Sequence, residues 1–187
     1  MFFTLTYDGI LRGSRSSAAV KHDIRRSLHP QIKALWQMPP LTTRSEAIDT
    51  EVTRDGAGSM VSTIGSHTFA ALVNDVYHLR ARLHILMLRR DSPGGLMTHG
   101  GDIDNRLKTL FDALQRPQHP QEVPADWQPN EDESPLHCLL SDDRLVTRVD
   151  VDTARWLMPG DPAEVRLIIN VEVWTPSPTY WSLGVIG

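Results

Sequence analysis

Four acidic residues and a lysine, in two short stretches of this 187-residue chain, have the types and spacing that metal-assisted chemistry needs. The first stretch is GGDIDNRLKTLFDAL, residues 100–114, and the second is LLSDDRLV, residues 139–146. In a regular helix Asp102 and Asp104 would diverge by about 200°, because each residue advances roughly 100°. To share one cation, Asp102 must lie in the loop that Gly100 and Gly101 supply, with Asp104 at the helix start, where the dipole favours an acid. Lys108 follows one turn later on the same face as Asp104, away from Leu107 and Phe111. Asp142 and Asp143, just before a strand, complete the set from another part of the chain. A hard cation such as Mg²⁺ takes oxygen ligands and keeps several waters, so a few carboxylates suffice. Such a centre activates water and stabilises charge on a phosphodiester, and Lys108 would orient the water or neutralise the developing charge. Each residue also has a plain structural use: Asp102 as a helix cap, Asp104 and Lys108 as an i,i+4 ion pair, Asp142-Asp143 as a turn. Their joint occurrence, in this order, is what points to chemistry.

The elements that must position these residues are read from periodicity. Phe2–Tyr7 alternates as a strand that Asp8-Gly9 should end. Val20, Ile24, Leu28, Ile32 and Leu35 mark a helix over residues 18–36, which Pro30 is expected to kink or divide. Tyr77–Leu88 alternates as a strand. Ile103, Leu107, Leu110, Phe111 and Leu114 form the apolar stripe of a second helix. Strands follow at 145–151 and 163–174. Met38–Ser59 lacks periodicity, and two longer stretches, 38–76 and 115–138, stand outside the recognisable elements. The second of these holds Pro117, Pro120, Pro124, Pro129 and Pro135 and the acidic EDES, and both are expected to be insertions, the latter an exposed excursion. The order β-α-β-α-β-β predicts one α/β domain of the α+β type, a small mixed β-sheet with two main helices packed on it.

Composition narrows the function classes. A net charge of -4 argues against a protein that coats nucleic acid non-specifically, but the charge is segregated. Residues 1–36 carry six Lys or Arg against two acids, whereas residues 112–143 carry eight acids against Arg116 alone. That arrangement can set a basic arm beside an acidic site. No apolar run approaches the roughly 18 residues of a membrane span, and MFFTLTYDG lacks the charged start of a signal peptide. The single cysteine, Cys138, excludes an internal disulfide, so a cytoplasmic location without membrane attachment is expected. Gly94-Gly95 and Gly100-Gly101 lack the G-x-x-x-x-G-K pattern, so no nucleotide cofactor is expected.

The pattern D-I-D-N-x-x-K on a helix continuing F-D-A-L, then L-x-D-D-x-x-V entering a strand, resembles the RusA-type Holliday-junction resolvases. The matching residues are Asp102, Asp104, Asn105, Lys108, Phe111, Asp112, Ala113, Leu114, Asp142, Asp143 and Val146. The resemblance implies a small α/β homodimer that makes Mg²⁺-dependent incisions in four-way DNA junctions, with Mn²⁺ as a substitute metal. It implies Asp102, Asp104, Lys108 and Asp143 as catalytic residues and Asp102, Asp104 and Asp143 as metal ligands. A long Pro-rich, acidic connector between the two motifs and a net acidic charge depart from the family pattern. Arg12, Lys21, Arg25, Arg26, Arg89 and Arg90 are the candidates for phosphate contact. The alternatives are a flap or single-strand nuclease on the same scaffold, and a catalytically silent DNA- or protein-binding module that keeps a cation site.

Other residues carry weaker signals. The eight histidines show no zinc spacing, and His99 reads as a loop residue near the acidic motif. Cys138 reads as an inert buried thiol. Glu131 and Glu133 read as part of a solvated loop, and Trp127, Trp156, Trp174 and Trp181 as buried or interfacial residues.

Overall fold

The computed structural model describes residues 1–13, 16–49, 58–90 and 103–186. Its larger sheet has the order β1-β7-β4-β6, with β1 (Phe2–Ile10), β4 (Arg80–Arg89), β6 (Val146–Arg155) and β7 (Glu164–Trp174). β7 pairs antiparallel with both β1 and β4, and β6 lies parallel to β4. Alternation decides which face is buried: Leu5, Tyr7, Leu83, Ile85, Met87, Leu167, Ile169 and Val171 point into the core. β1 does not stop at Asp8-Gly9. It pairs through Ile10, and Asp8 accepts both hydrogen bonds of the Arg166 guanidinium across the strands.

A second sheet, of order β2-β3-β5, was not anticipated: β2 (Val61–Ile64), β3 (His67–Val73) and β5 (Leu136–Leu140). The expectation of one sheet with two insertions is therefore corrected. Residues 38–76 supply β2, β3 and the core residues Leu41, Ala47, Met60, Leu72 and Val73. Residues 115–138 are not wholly an exposed excursion either. Their last three residues begin β5, which is buried throughout, and Val123 and Trp127 join Phe69, Leu136 and Cys138 in a satellite core. Both sheets contribute to one main buried cluster.

Helix α1 (Ala18–Leu35) lays Ile24, Leu28 and Ile32 into that cluster, and the Ser17 side chain caps its start by accepting from the Val20 amide. Pro30 sits on its exposed side within one continuous helix, so the expected division does not occur. Helix α2 (Ile103–Leu114) buries Arg106, Thr109, Leu110, Ala113 and Leu114. Its buried face is thus rotated away from the expected stripe, leaving Ile103, Leu107 and Phe111 half-buried. A short α3 (Tyr180–Ile186) closes the described chain. No helix among the described residues is long and apolar enough to cross a membrane.

Candidate active site

The face of α2 opposite its buried side carries the chemistry-bearing residues. At roughly 100° per residue, Asp104, Lys108, Asp112 and Gln115 fall within about 80° of arc, so they form one solvent-facing ridge along the helix and just past its end. Asp104 and Lys108 are exposed. One Asp104 oxygen accepts from the Asn105 amide at 2.7 Å, a local bond that fixes the carboxylate at the first turn. The Asp104–Lys108 ion pair is not formed, and neither residue has an ion-pair partner among the described residues.

The Asp142-Asp143 turn meets the other end of the ridge. Gln115 bridges to Leu140 in parallel register, and the Arg116 amide donates to the Leu140 carbonyl at 2.8 Å. This brings the chain after β5 against the end of α2, where the Asp143 amide donates to the Gln115 side chain at 3.1 Å. Asp142 serves as a turn residue, accepting from the Arg144 amide, while the Asp143 carboxylate is exposed. The Gln115 end lies about 16 Å along the helix axis from Asp104, at 1.5 Å per residue. Asp104 and Lys108 therefore share one end of the ridge, and Asp143 is anchored at the other. Asp102 lies outside the described residues, as does His99. Among the described residues no three His, Cys, Asp or Glu side chains gather as a metal site.

A polar pocket of about 270 Å³ opens at the Asp143 end, lined by Lys21, Arg25, Asp112, Gln115, Gln121 and Glu122. Lys21 pairs with Asp112 at 2.6 Å. Arg25, read from sequence as a phosphate contact, is only 2% exposed. Its guanidinium donates to the carbonyls of Asp112 and Gln115, both at 2.8 Å, closing the C-terminal end of α2. Burial holds its pKa below the usual arginine value.

Two other arginines also prove structural. Arg89 is buried. Arg90 stacks on Trp156, donates to the carbonyls of Met158 and Pro159, and pairs with Glu164. Arg26 pairs with the buried Glu133 at 2.6 Å, so Glu133 is not the solvated loop residue expected from sequence. Arg12 remains exposed. Its loop is held against α2 because Arg106 donates to the Leu11 carbonyl at 2.9 Å and Thr109 bonds the Ser16 hydroxyl at 3.1 Å. These two buried polar residues of α2 escaped the sequence reading, since an arginine and a threonine amid apolar residues read as surface.

Beneath α1 lies a group of buried aromatic side chains. His22 meets the Trp127 ring edge-on at 4.3 Å, and His29 accepts from the His137 amide at 2.8 Å while donating to the Asp132 carbonyl. Burial depresses His22 to about 4 and His137 to about 3, so both are neutral near pH 7. Cys138 is buried and its thiol is pushed up to about 12 by burial, which makes it inert as expected. No protein-family model matches this chain, and a search of curated proteins finds no match.

Proposed function

We propose that this chain is a Mg²⁺-dependent endodeoxyribonuclease, with Mn²⁺ as a substitute metal, that hydrolyses phosphodiesters in branched DNA as the RusA-type resolvases do. The observation that carries the reading is the solvent-facing ridge of α2, which runs from Asp104 and Lys108 to the Gln115 bond that anchors Asp143. Asp104 presents an exposed carboxylate with no ion-pair partner among the described residues, which suits a hard cation, while Asp143, also exposed, lies at the other end of the ridge. Asp104, with Asp102 before the helix, would hold the cation, and Asp143 is the third carboxylate of the motif. When bound, the cation supplies an activated water and stabilises charge on the phosphoryl oxygens.

The chain's own groups do the rest. Lys108, free of an intrahelical ion pair, has its ammonium available to neutralise charge developing on the phosphate. The exposed Arg12 sits on a loop bonded to the buried side of α2, away from the ridge, and is a candidate for contact with the DNA backbone outside the cutting site. A homodimer suits paired incisions in a two-fold substrate. The reading is tested by incubating the full chain with a synthetic four-way junction, a flap and a linear duplex, each with Mg²⁺ or with a chelator. Metal-dependent cutting of the junction in preference to the duplex is the expected result. Cutting confined to the flap would move the activity to a sister substrate, and binding without cutting of any substrate would leave a silent DNA-binding module.

A further inference from the structure

The polar pocket of about 270 Å³ adjoins the ridge of α2 directly, because Asp112 and Gln115 belong to the ridge and also line the pocket. Its other walls are the start of α1, through Ala18, Lys21 and Arg25, and the helical turn Pro120–Glu122, through Gln121 and Glu122. The charges balance, Lys21 and Arg25 against Asp112 and Glu122. Part of the hydrogen-bonding capacity is unspent among the described residues. Arg25 is 2% exposed, and of its five N–H groups three are used, on the carbonyls of Gln115 and Asp112 and on the His22 ring. Glu122 accepts from the Gln118 amide with one oxygen only. Gln115 spends its side-chain oxygen on the Asp143 amide, which leaves its amino group without a partner among the described residues.

We propose that this pocket takes a single guanine base, turned out of DNA that lies along the ridge. A phosphate calls for a surplus of positive charge, which this balanced set does not give. The set suits a neutral heterocycle with acceptors on one edge and donors on another. Of the four DNA bases only guanine joins two acceptors, O6 and N7, to two adjacent donors, N1–H and the N2 amino group. Arginine on O6 and N7 is the commonest specific contact to guanine, and Arg25 supplies it here with Lys21 beside it. The Glu122 carboxylate accepts from N1–H and N2. Adenine, cytosine and thymine would each set that carboxylate against an acceptor, which leaves buried polar groups unpaired. Ala18 and the methylene stem of Lys21 offer an apolar wall for the face of the base.

Turning a base out costs least where it is already unpaired, so the pocket acts at the branch point of a junction. Gln121 and Glu122 belong to the Pro-rich connector that departs from the resolvase pattern, which gives this chain a base preference of its own. Gln115, bonded to the Asp143 amide, ties the pocket to that turn. The inference rests on the proposed nuclease for the DNA along the ridge, whereas the pocket itself is tested without DNA.

The full chain, with a chelator present, is titrated with deoxyguanosine, deoxyadenosine, deoxycytidine and thymidine and followed by saturation-transfer nuclear magnetic resonance. Deoxyguanosine should bind roughly tenfold or more tighter than each of the others. Glu122→Gln keeps an oxygen for the Gln118 amide but replaces an acceptor with a donor, so the preference should vanish with circular dichroism unchanged. Fluorescence anisotropy carries the test to DNA. A four-way junction with one unpaired deoxyguanosine at the branch point should bind about tenfold tighter than one with unpaired deoxyadenosine, and Glu122→Gln should make the two equal. Equal affinity for the four nucleosides, or a guanine preference that survives Glu122→Gln, would overturn the proposal. A chain that prefers deoxyguanosine yet binds no junction would keep the guanine pocket and overturn the nuclease reading instead.

Discussion

Lowering the pH from 7 to 5 should remove about 4 kcal/mol of folding stability through two histidines alone, worked from their pKa values by proton linkage. The folded protein holds His22 near 4 and His137 near 3, whereas an unfolded chain titrates both near 6.5. Between those values the unfolded state binds more protons, so stability is fully present above about pH 6.5 and falls as the pH drops toward the folded pKa values. Across pH 7 to 5 each residue accounts for about 2 kcal/mol. The physical cause is visible in the packing. The His22 Nε2 and His137 Nδ1 atoms are buried without hydrogen-bond partners. Charging His22 also opposes Arg25 and Arg26, and charging His137 opposes His29 and Lys33. His29, likewise lowered by burial, acts in the same direction. The carboxylates held low by partners, Asp8, Asp75 and Glu133, lose their contribution only below about pH 4, so they do not obscure this window. The assay is urea unfolding followed by tryptophan fluorescence at pH 7, 6 and 5. His137→Gln should roughly halve the pH slope, whatever its cost at pH 7. Equal midpoints at pH 7 and 5 in the wild-type chain would refute the reasoning.

Three further outcomes are expected. Arg25→Met should cost about 1–3 kcal/mol in urea unfolding, because it removes the donors to two partly buried carbonyls at the end of α2; an unchanged midpoint would show that the buried guanidinium is dispensable. Arg90→Ala should speed native-state proteolysis within residues 156–161 several-fold and shift the Trp156 emission, with the urea midpoint nearly unchanged, since that side chain braces one loop; equal cleavage rates would remove the bracing role. Lys108→Met should lower junction cleavage by about 10²-fold or more with Mg²⁺ binding retained, as expected for a group that acts on the phosphate and not on the cation; wild-type turnover would assign the lysine to the surface.

The elements with strong periodicity were legible in the sequence. β4 and β7 alternate, α1 repeats its apolar residues every turn, and all three form close to the expected residues. β3 and β5 were not legible, because Phe69–Val73 and Leu136–Leu140 are buried on both faces and so show no alternation. A short continuous apolar run does not distinguish strand from loop or helix by period. The prolines around β5 reinforced the wrong reading. Charge misled in a similar way: Arg25 read as a surface cation for phosphate contact but is buried and bonded to the carbonyls of Asp112 and Gln115, about 90 residues away in the chain. The link between the Asp142-Asp143 turn and α2 depends on β5 returning beside Gln115, a long-range pairing that no local pattern encodes. The placement of Asp104 and Lys108 on one exposed face was legible, since helical period alone sets it.

The most direct test of the central claim compares the wild-type chain with Asp104→Asn on a synthetic four-way junction, with and without Mg²⁺. Asn keeps the oxygen that accepts from the Asn105 amide, so folding should be unchanged by circular dichroism and urea midpoint. It removes the charge that holds the cation, so metal-dependent cleavage should disappear while junction binding persists or tightens slightly as phosphate repulsion falls. Cleavage by Asp104→Asn at the wild-type rate, with the same Mg²⁺ dependence, would contradict the account.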